Sequence, residues 1–213
     1  MSAAPARPML RAGALLAAFA IAAAGILAGV HALTADRIRQ AEQQRLLQQL
    51  QAVLDADAYD NDIAADSARI TGPKLPGNAG ITVYRARRAG KPVAALLRVT
   101  APDGYSGPID LLIGIRYDGR LSGVRVVSHR ETPGLGDKID DQRSDWILGF
   151  AGRSLQQPPL SQWAVRKDGG VFDQFTGATI TPRAVVRTVR DTLIFFRDNR
   201  DQLFDTPASA SST

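Results

Sequence analysis

The stretch IDLLIGIRYDGRLSGVRVVS, residues 109–128, decides the fold. It holds two runs rich in Ile, Leu and Val, 109–117 and 121–128, around Asp118-Gly119, a strong signal for a type I′ hairpin turn. Strands joined so tightly pair antiparallel. Upstream, residues 81–87 and 91–100 repeat the pattern around Ala89-Gly90, with Pro92 tolerated near a strand start. A Pro/Gly loop over 101–108 separates the two hairpins. Downstream the period becomes helical: Val185, Val186, Val189, Leu193 and Phe196 predict a long helix over 182–203. Antiparallel strands with flanking helices define an α+β domain.

Smaller elements fill the gaps. Pro133, Gly134 and Gly136 mark a loop, and residues 140–150 predict a short helix that buries Trp146, Ile147 and Phe150. Residues 163–167 predict a further strand. Residues 57–80 read as mainly irregular, because Gly72, Pro73, Pro76, Gly77 and Gly80 leave little room for a regular element.

At the N-terminal end, residues 12–33 contain no Asp, Glu, Lys or Arg. As a helix these 22 residues would span about 33 Å, the hydrocarbon thickness of a bilayer. A cleavable signal peptide is the rival reading, with Ala28, Gly29 and Ala32 available for a cleavage site. Its apolar core runs only about 7–15 residues, shorter than this stretch. Arg7 and Arg11 before the span keep the N-terminus in the cytoplasm by the positive-inside rule, so the remainder crosses the membrane. Residues 36–56 then predict an amphipathic helix, with Leu46, Leu47, Leu50, Val53 and Leu54 on one side. That helix either packs on its own domain or serves as a stalk touching a membrane partner. The organisation expected is a cytoplasmic N-terminus over 1–11, a transmembrane helix over 12–33, a helical stalk and loop over 34–79, a folded domain over 80–204 and a disordered tail over 205–213.

Composition excludes several chemistries. The chain has 213 residues and no cysteine, which removes disulfides, thiolate metal sites, iron–sulfur clusters and C-x-x-C-H haem attachment. His31 and His129 are the only histidines, so no multi-histidine metal site is expected. His129 reads as a structural histidine. The net charge of +5 is dispersed among acidic residues and forms no basic block, and aromatics are 6% of the chain. Both features argue against a nucleic-acid partner. No G-x-S-x-G elbow is present, and a hydrolase is poorly supported.

The segment that carries chemistry is DQFTGATITP, residues 173–182. Thr181 suits an N-cap and Pro182 the first helical position, so the last helix is expected to start here. Unpaired amides and the positive end of the helix dipole then lie near Thr179, a natural place for phosphate. Gly177 and Ala178 let a bulky group approach the backbone. Arg183 and Arg187 are candidates to balance negative charge. On these residues alone, an ordinary capped helix after a glycine turn is the better account of the segment, because such caps are common.

Asp173-x-x-Thr176-Gly177-Ala178-Thr179 resembles the flavinylation motif of the FMN-binding domain family, shared by the Rnf complex G subunit and the C subunit of sodium-translocating NADH:quinone reductase. The segments GYSGPI (104–109) and HRETPGLGDKI (129–139) are also similar to family segments, in the same order; the single N-terminal anchor fits as well, and the resemblance, over roughly residues 79–203, is closest to the Rnf G subunit. The resemblance implies FMN held in a phosphoester bond to Thr179, made from FAD by a separate flavin transferase. It implies an electron-transfer subunit, and not a stand-alone enzyme, working with the other Rnf subunits between ferredoxin and NAD. The corresponding quinone-reductase subunit and a non-redox periplasmic scaffold are the alternatives. Thr176, Gly177 and Ala178 would surround the flavin-bearing residue, and Asp173 would either help the transferase hold its metal ion or cap the turn. Glu131, Thr132 and Leu135 would line the pocket, unless their loop is only a structural turn. Gly134-x-Gly136 lacks the third glycine and the following helix of a dinucleotide fingerprint.

Overall fold

A computed structural model describes residues 6–72, 75–78 and 80–205. The chain forms two compact units, Met1–Arg45 and Leu46–Thr213. The first is helical. Helix α1 (Ala6–Gln51) is continuous where the sequence predicts an anchor and a separate amphipathic helix. Leu15, Leu16, Phe19, Ile21, Ile26, Leu27 and Leu33 are all exposed on it, and this is the one helix among the described residues long and apolar enough to cross a membrane. The Thr34 hydroxyl, just past the apolar stretch, donates back to the Val30 carbonyl (2.8 Å), which satisfies it within the helix. Of the tail expected to be disordered over 205–213, Asp205 instead ends the last helix, and the remainder, like residues 1–5, lies outside the described residues.

The second unit is built on a five-stranded antiparallel meander, β1 (Ser67–Ile70), β2 (Ile81–Arg88), β3 (Lys91–Ala101), β4 (Ile109–Arg116) and β5 (Leu121–Ser128), in sequential order. The four strands expected from the two hairpins are present. Strand β1 corrects the irregular reading of 57–80: four residues suffice to pair with β2, and they precede the Gly/Pro cluster. The hairpin turns exchange roles relative to expectation. Ala89 (φ 49) and Gly90 (φ 75) both lie in the left-handed region, as type I′ requires. At the second hairpin only Gly119 does (φ 86); the Gly119 N–H bonds the Arg116 carbonyl, and the Asp118 carboxylate accepts from the Arg120 N–H. That three-residue loop is a type I turn followed by a left-handed glycine.

Both faces of the sheet are covered, which explains why the strands read as continuous apolar runs. On one face the paired row Val83, Leu97, Ile113 and Val124 packs with Val185, Val186, Val189, Leu193 and Phe196 of helix α2 (Ile180–Asp205). On the other, Tyr84, Ala86, Ala94, Leu96 and Leu112 meet Leu50, Val53, Leu54 and Ile63. The end of α1 therefore packs on its own domain. The paired glycines Gly114 and Gly123 let the Val53 backbone come close: a Cβ on Gly123 would sit 3.2 Å from the Val53 Cα.

The far end of α2 is fixed by charge. Asp66 pairs with Arg85 (2.7 Å) and Arg87 (2.8 Å), and these guanidinium groups reach the Leu203 and Phe204 carbonyls at the helix terminus. Cations there complement the dipole and satisfy carbonyls that no helical amide reaches.

Two expected elements differ. Residues 140–150 form no single helix: short 3₁₀ turns cover Gly136–Ile139 and Asp145–Phe150, the second capped by the Ser144 hydroxyl accepting from the Trp146 N–H (3.3 Å). Ile147 and Phe150 are buried as expected, and Trp146 is half-buried. Residues 163–167 form no strand: 163–165 lie between the 3₁₀ turns Leu160–Gln162 and Arg166–Asp168, with one bridge from Val165 to Phe172, because Trp163, Phe150 and Phe172 pack ring to ring instead of continuing a sheet.

Candidate functional site

Residues 175–178 form a tight turn. The Ala178 N–H donates to the Phe175 carbonyl (3.1 Å), and Gly177 sits third with φ 79, a conformation that glycine adopts without strain. Phe175 anchors the turn by its edge-on contact with Trp146 (5.2 Å between centroids), whose indole N–H donates to the Asp173 carbonyl (2.9 Å). Helix α2 begins directly after Thr179, whose carbonyl accepts from the Arg183 N–H (3.3 Å). Thr179 thus occupies the N-cap position assigned by sequence to Thr181. Pro182 falls third in the helix, where its missing N–H is one that would lack an intrahelical partner anyway.

Thr181 does something else. Fully buried, its hydroxyl donates to Glu131 Oε2 (2.5 Å) across 50 residues of chain. Glu131 opens a second tight turn, in which the Leu135 and Gly136 amides both bond the Thr132 carbonyl. The two turns touch: Leu135 Cδ2 would lie 3.5 Å from a Cβ on Gly177.

Between them lies a cavity of about 320 Å³ lined by Tyr105, Glu131, Thr132, Leu135, Gly136, Gly177, Ala178, Thr179, Ile180 and Thr181. Six of the eight sequence-predicted site residues meet here: Thr179, Gly177, Ala178, Glu131, Thr132 and Leu135. Thr176 is exposed on the turn and does not line the cavity. Asp173 lies outside it, exposed and paired with Arg166 (2.9 Å). Sequence reasoning missed Tyr105, Gly136, Ile180 and Thr181 as lining residues. The first two sit within the family-like segments 104–109 and 129–139, and the other two follow directly on Thr179. Tyr105, Leu135 and Ile180, respectively 69%, 43% and 46% exposed, give the cavity an apolar rim.

Among the described residues, no Arg or Lys lines the cavity. Arg183 makes a two-pronged pair with Asp168 (2.6 and 2.8 Å), and Arg187 pairs with Asp103 (2.8 Å), so both candidate cations are engaged elsewhere. The Arg183 guanidinium holds the Asp168 carboxyl below the usual carboxylate range. His129 accepts at Nδ1 from the Glu131 N–H (3.1 Å), a structural role. A larger hollow of about 670 Å³, beside Ile194 and Phe195 of α2, contains none of the motif residues.

A family model described as FMN-binding domain matches residues 104–194, the region holding both turns, and one described as RnfG N-terminal region matches residues 1–53. Fold, cavity and match together define an FMN-binding-domain protein whose N-terminal helix is long and apolar enough to cross a membrane. Similar chains, each named as the G subunit of an ion-translocating oxidoreductase complex, come from Pseudoalteromonas atlantica (48% identical over 193 residues, 90% of each chain), Pseudomonas aeruginosa (48% over 204 residues, 95% of each) and Shewanella baltica (43% over 206 residues, 96% of this chain and 97% of the relative). The chain belongs to this family of ion-translocating oxidoreductase G subunits.

Proposed function

We propose that this chain is the electron-transfer subunit of an Rnf-type ion-translocating oxidoreductase complex and carries FMN through its phosphate on Thr179. The observation that carries this reading is the position of Thr179, between the Gly177 turn and the first turn of α2, on the wall of the cavity. The residues present suit FMN. A volume of about 320 Å³ falls within the range of ligand pockets, about 300–1,000 Å³, and the cavity's exposed rim of Tyr105, Leu135 and Ile180 suits a flat apolar ring held partly in solvent. With Arg183 and Arg187 engaged elsewhere, the amides and dipole at the α2 N-terminus would meet the phosphate charge.

Attachment is a phosphoryl transfer from FAD catalysed by a separate flavin transferase. In such a transfer the Thr179 oxygen would take the FMN phosphoryl group, and AMP and the hydroxyl proton would be released. The turn presents Thr179 for this step, and the exposed Thr176 and Asp173 are open to the transferase. Once bound, FMN supplies the redox chemistry. The chain holds it, orients it and shields one side from water. Residues 12–33 anchor the domain, with residues 1–11 cytoplasmic and the flavin domain, 80–204, periplasmic. The anchor raises its effective concentration near the other subunits.

The test is flavin fluorescence of the denatured full-length chain in a gel, for wild type and Thr179→Ala, each co-expressed with a flavin transferase. The expected result is a fluorescent wild-type band absent from the variant. A dark wild-type band, with a control substrate labelled in the same cells, overturns the covalent linkage. Complex activity unchanged by Thr179→Ala would bring the scaffold alternative forward.

A further inference from the structure

Glu131 is 4% exposed and, among the described residues, contributes the single carboxyl group to the cavity wall. Both of its oxygens are committed to protein donors. Oε1 accepts from the Ser106 N–H (3.0 Å), and Oε2 accepts from the Thr181 hydroxyl (2.5 Å). Its own N–H is held by His129 Nδ1. The backbone closes around the carboxyl: a Cβ on Gly104 would lie 2.8 Å from Oε1, and one on Gly136 would lie 2.6 Å from Oε2. The group is thus seated in a slot that leaves room for only hydrogen at two neighbouring positions.

The two acceptor bonds run to different walls of the cavity. Ser106 follows Tyr105 on the rim, whereas Thr181 lies two residues beyond Thr179 in the first turn of α2. We propose that Glu131 is a positioning residue, which acts through Ser106 and Thr181 to hold the Tyr105 wall and Thr179 in fixed relation. It is not itself a flavin ligand. A buried polar group bridging separate segments fixes geometry in a way that an apolar side chain of the same volume does not. The proposal rests on the reading that Thr179 carries the flavin, but it makes a claim about the apoprotein that can be measured separately.

The test is amide hydrogen exchange by mass spectrometry on the full-length, flavin-free chain in detergent, comparing wild type with Glu131→Ala, Glu131→Gln and Thr181→Val. The rate of flavin attachment with FAD and transferase is followed in parallel. Glu131→Ala is expected to speed exchange about tenfold or more in peptides covering 104–108 and 176–184, the loss of about one hydrogen bond. Peptides covering the middle of α2 and β3 stay at wild-type rates. Thr181→Val loosens 176–184 alone. Glu131→Gln restores most protection, since its carbonyl accepts from Ser106 and its amide donates to the Thr181 oxygen. Flavin attachment slows in the two variants that loosen 176–184 and recovers in Glu131→Gln.

Exchange raised evenly throughout the sheet would make Glu131 a general stabiliser and overturn the proposal. So would wild-type exchange and labelling in both Glu131→Ala and Thr181→Val. Should Glu131→Ala fail to fold, Thr181→Val decides alone. Should wild type take no flavin, the linkage to Thr179 fails, while the exchange pattern still decides the role of Glu131.

Discussion

The Trp146 indole N–H donates to the Asp173 carbonyl at 2.9 Å, which ties a 3₁₀ turn to the start of the motif that ends at Thr179. The same ring meets Phe150 and Phe175 edge-on, each at 5.2 Å. Trp146 thus supports the 175–178 turn from behind by one directional bond and two ring contacts. Trp146→Phe keeps the ring contacts and loses the bond, so urea unfolding should show a loss of about 1 kcal/mol. Trp146→Ala removes both and should lose about 3 kcal/mol. A Trp146→Phe variant as stable as wild type would show that the hydrogen bond contributes nothing, and equal losses in the two variants would show the same of the ring contacts.

Asp66 holds two cations at once. Arg85 is only 1% exposed, and its charge is balanced by an Asp66 oxygen at 2.7 Å. Asp66→Ala removes a carboxylate shared by two guanidinium groups, one of them buried, and unfolding should become easier by about 3 kcal/mol. Arg87→Ala should have a smaller effect, because Arg87 is more exposed and the Asp66–Arg85 pair survives it. Arg87→Ala proving the worse of the two in chemical denaturation would reverse this ranking.

Where Val53 crosses the sheet, the contact is with backbone. A Cβ on Gly123 would lie 3.2 Å from the Val53 Cα and 3.3 Å from its carbonyl oxygen. Gly123→Ala should therefore destabilise the domain by about 1–3 kcal/mol, and trimming the side chain with Val53→Ala should not relieve it. Rescue in the double variant would mean that the side chain, and not the backbone, sets the spacing.

The strands and α2 were legible because their signals are repetitive: β-rich runs bounded by turn residues, and apolar residues at helical spacing. Strand β1 was not, since Ser67, Ala68, Arg69 and Ile70 carry little strand signature and their pairing depends on β2 lying alongside. The same limit applies at the site. Glu131 and Thr179 were visible as motif residues, yet no local pattern tells that Thr181, a good N-cap type, turns inward to a carboxyl 50 residues away. Nor does residue type reveal that Arg183 and Arg187 are engaged by Asp168 and Asp103. Long-range hydrogen bonds decide both cases, and sequence periodicity carries no information about them.

The Asp168–Arg183 pair makes the last prediction, and its sign follows from linkage. Hydrogen bonding from Arg183 lowers the Asp168 pKa in the folded chain. A depressed carboxyl stabilises the fold above its unfolded pKa of about 3.9, and that contribution fades as pH falls through the folded value. Asp168 sits in the 3₁₀ turn Arg166–Asp168, while Arg183 sits in the first turn of α2 beside Thr179. Acidification below about pH 4 should therefore release this strap from the helix start. Carboxyl NMR of the labelled full-length chain should place the Asp168 midpoint below the usual carboxylate range in wild type, and Arg183→Gln should return it upward. Both groups are partly exposed, so raising the salt concentration should shrink the difference between wild type and variant. A midpoint indifferent to Arg183→Gln would mean that another group sets the acidity of Asp168.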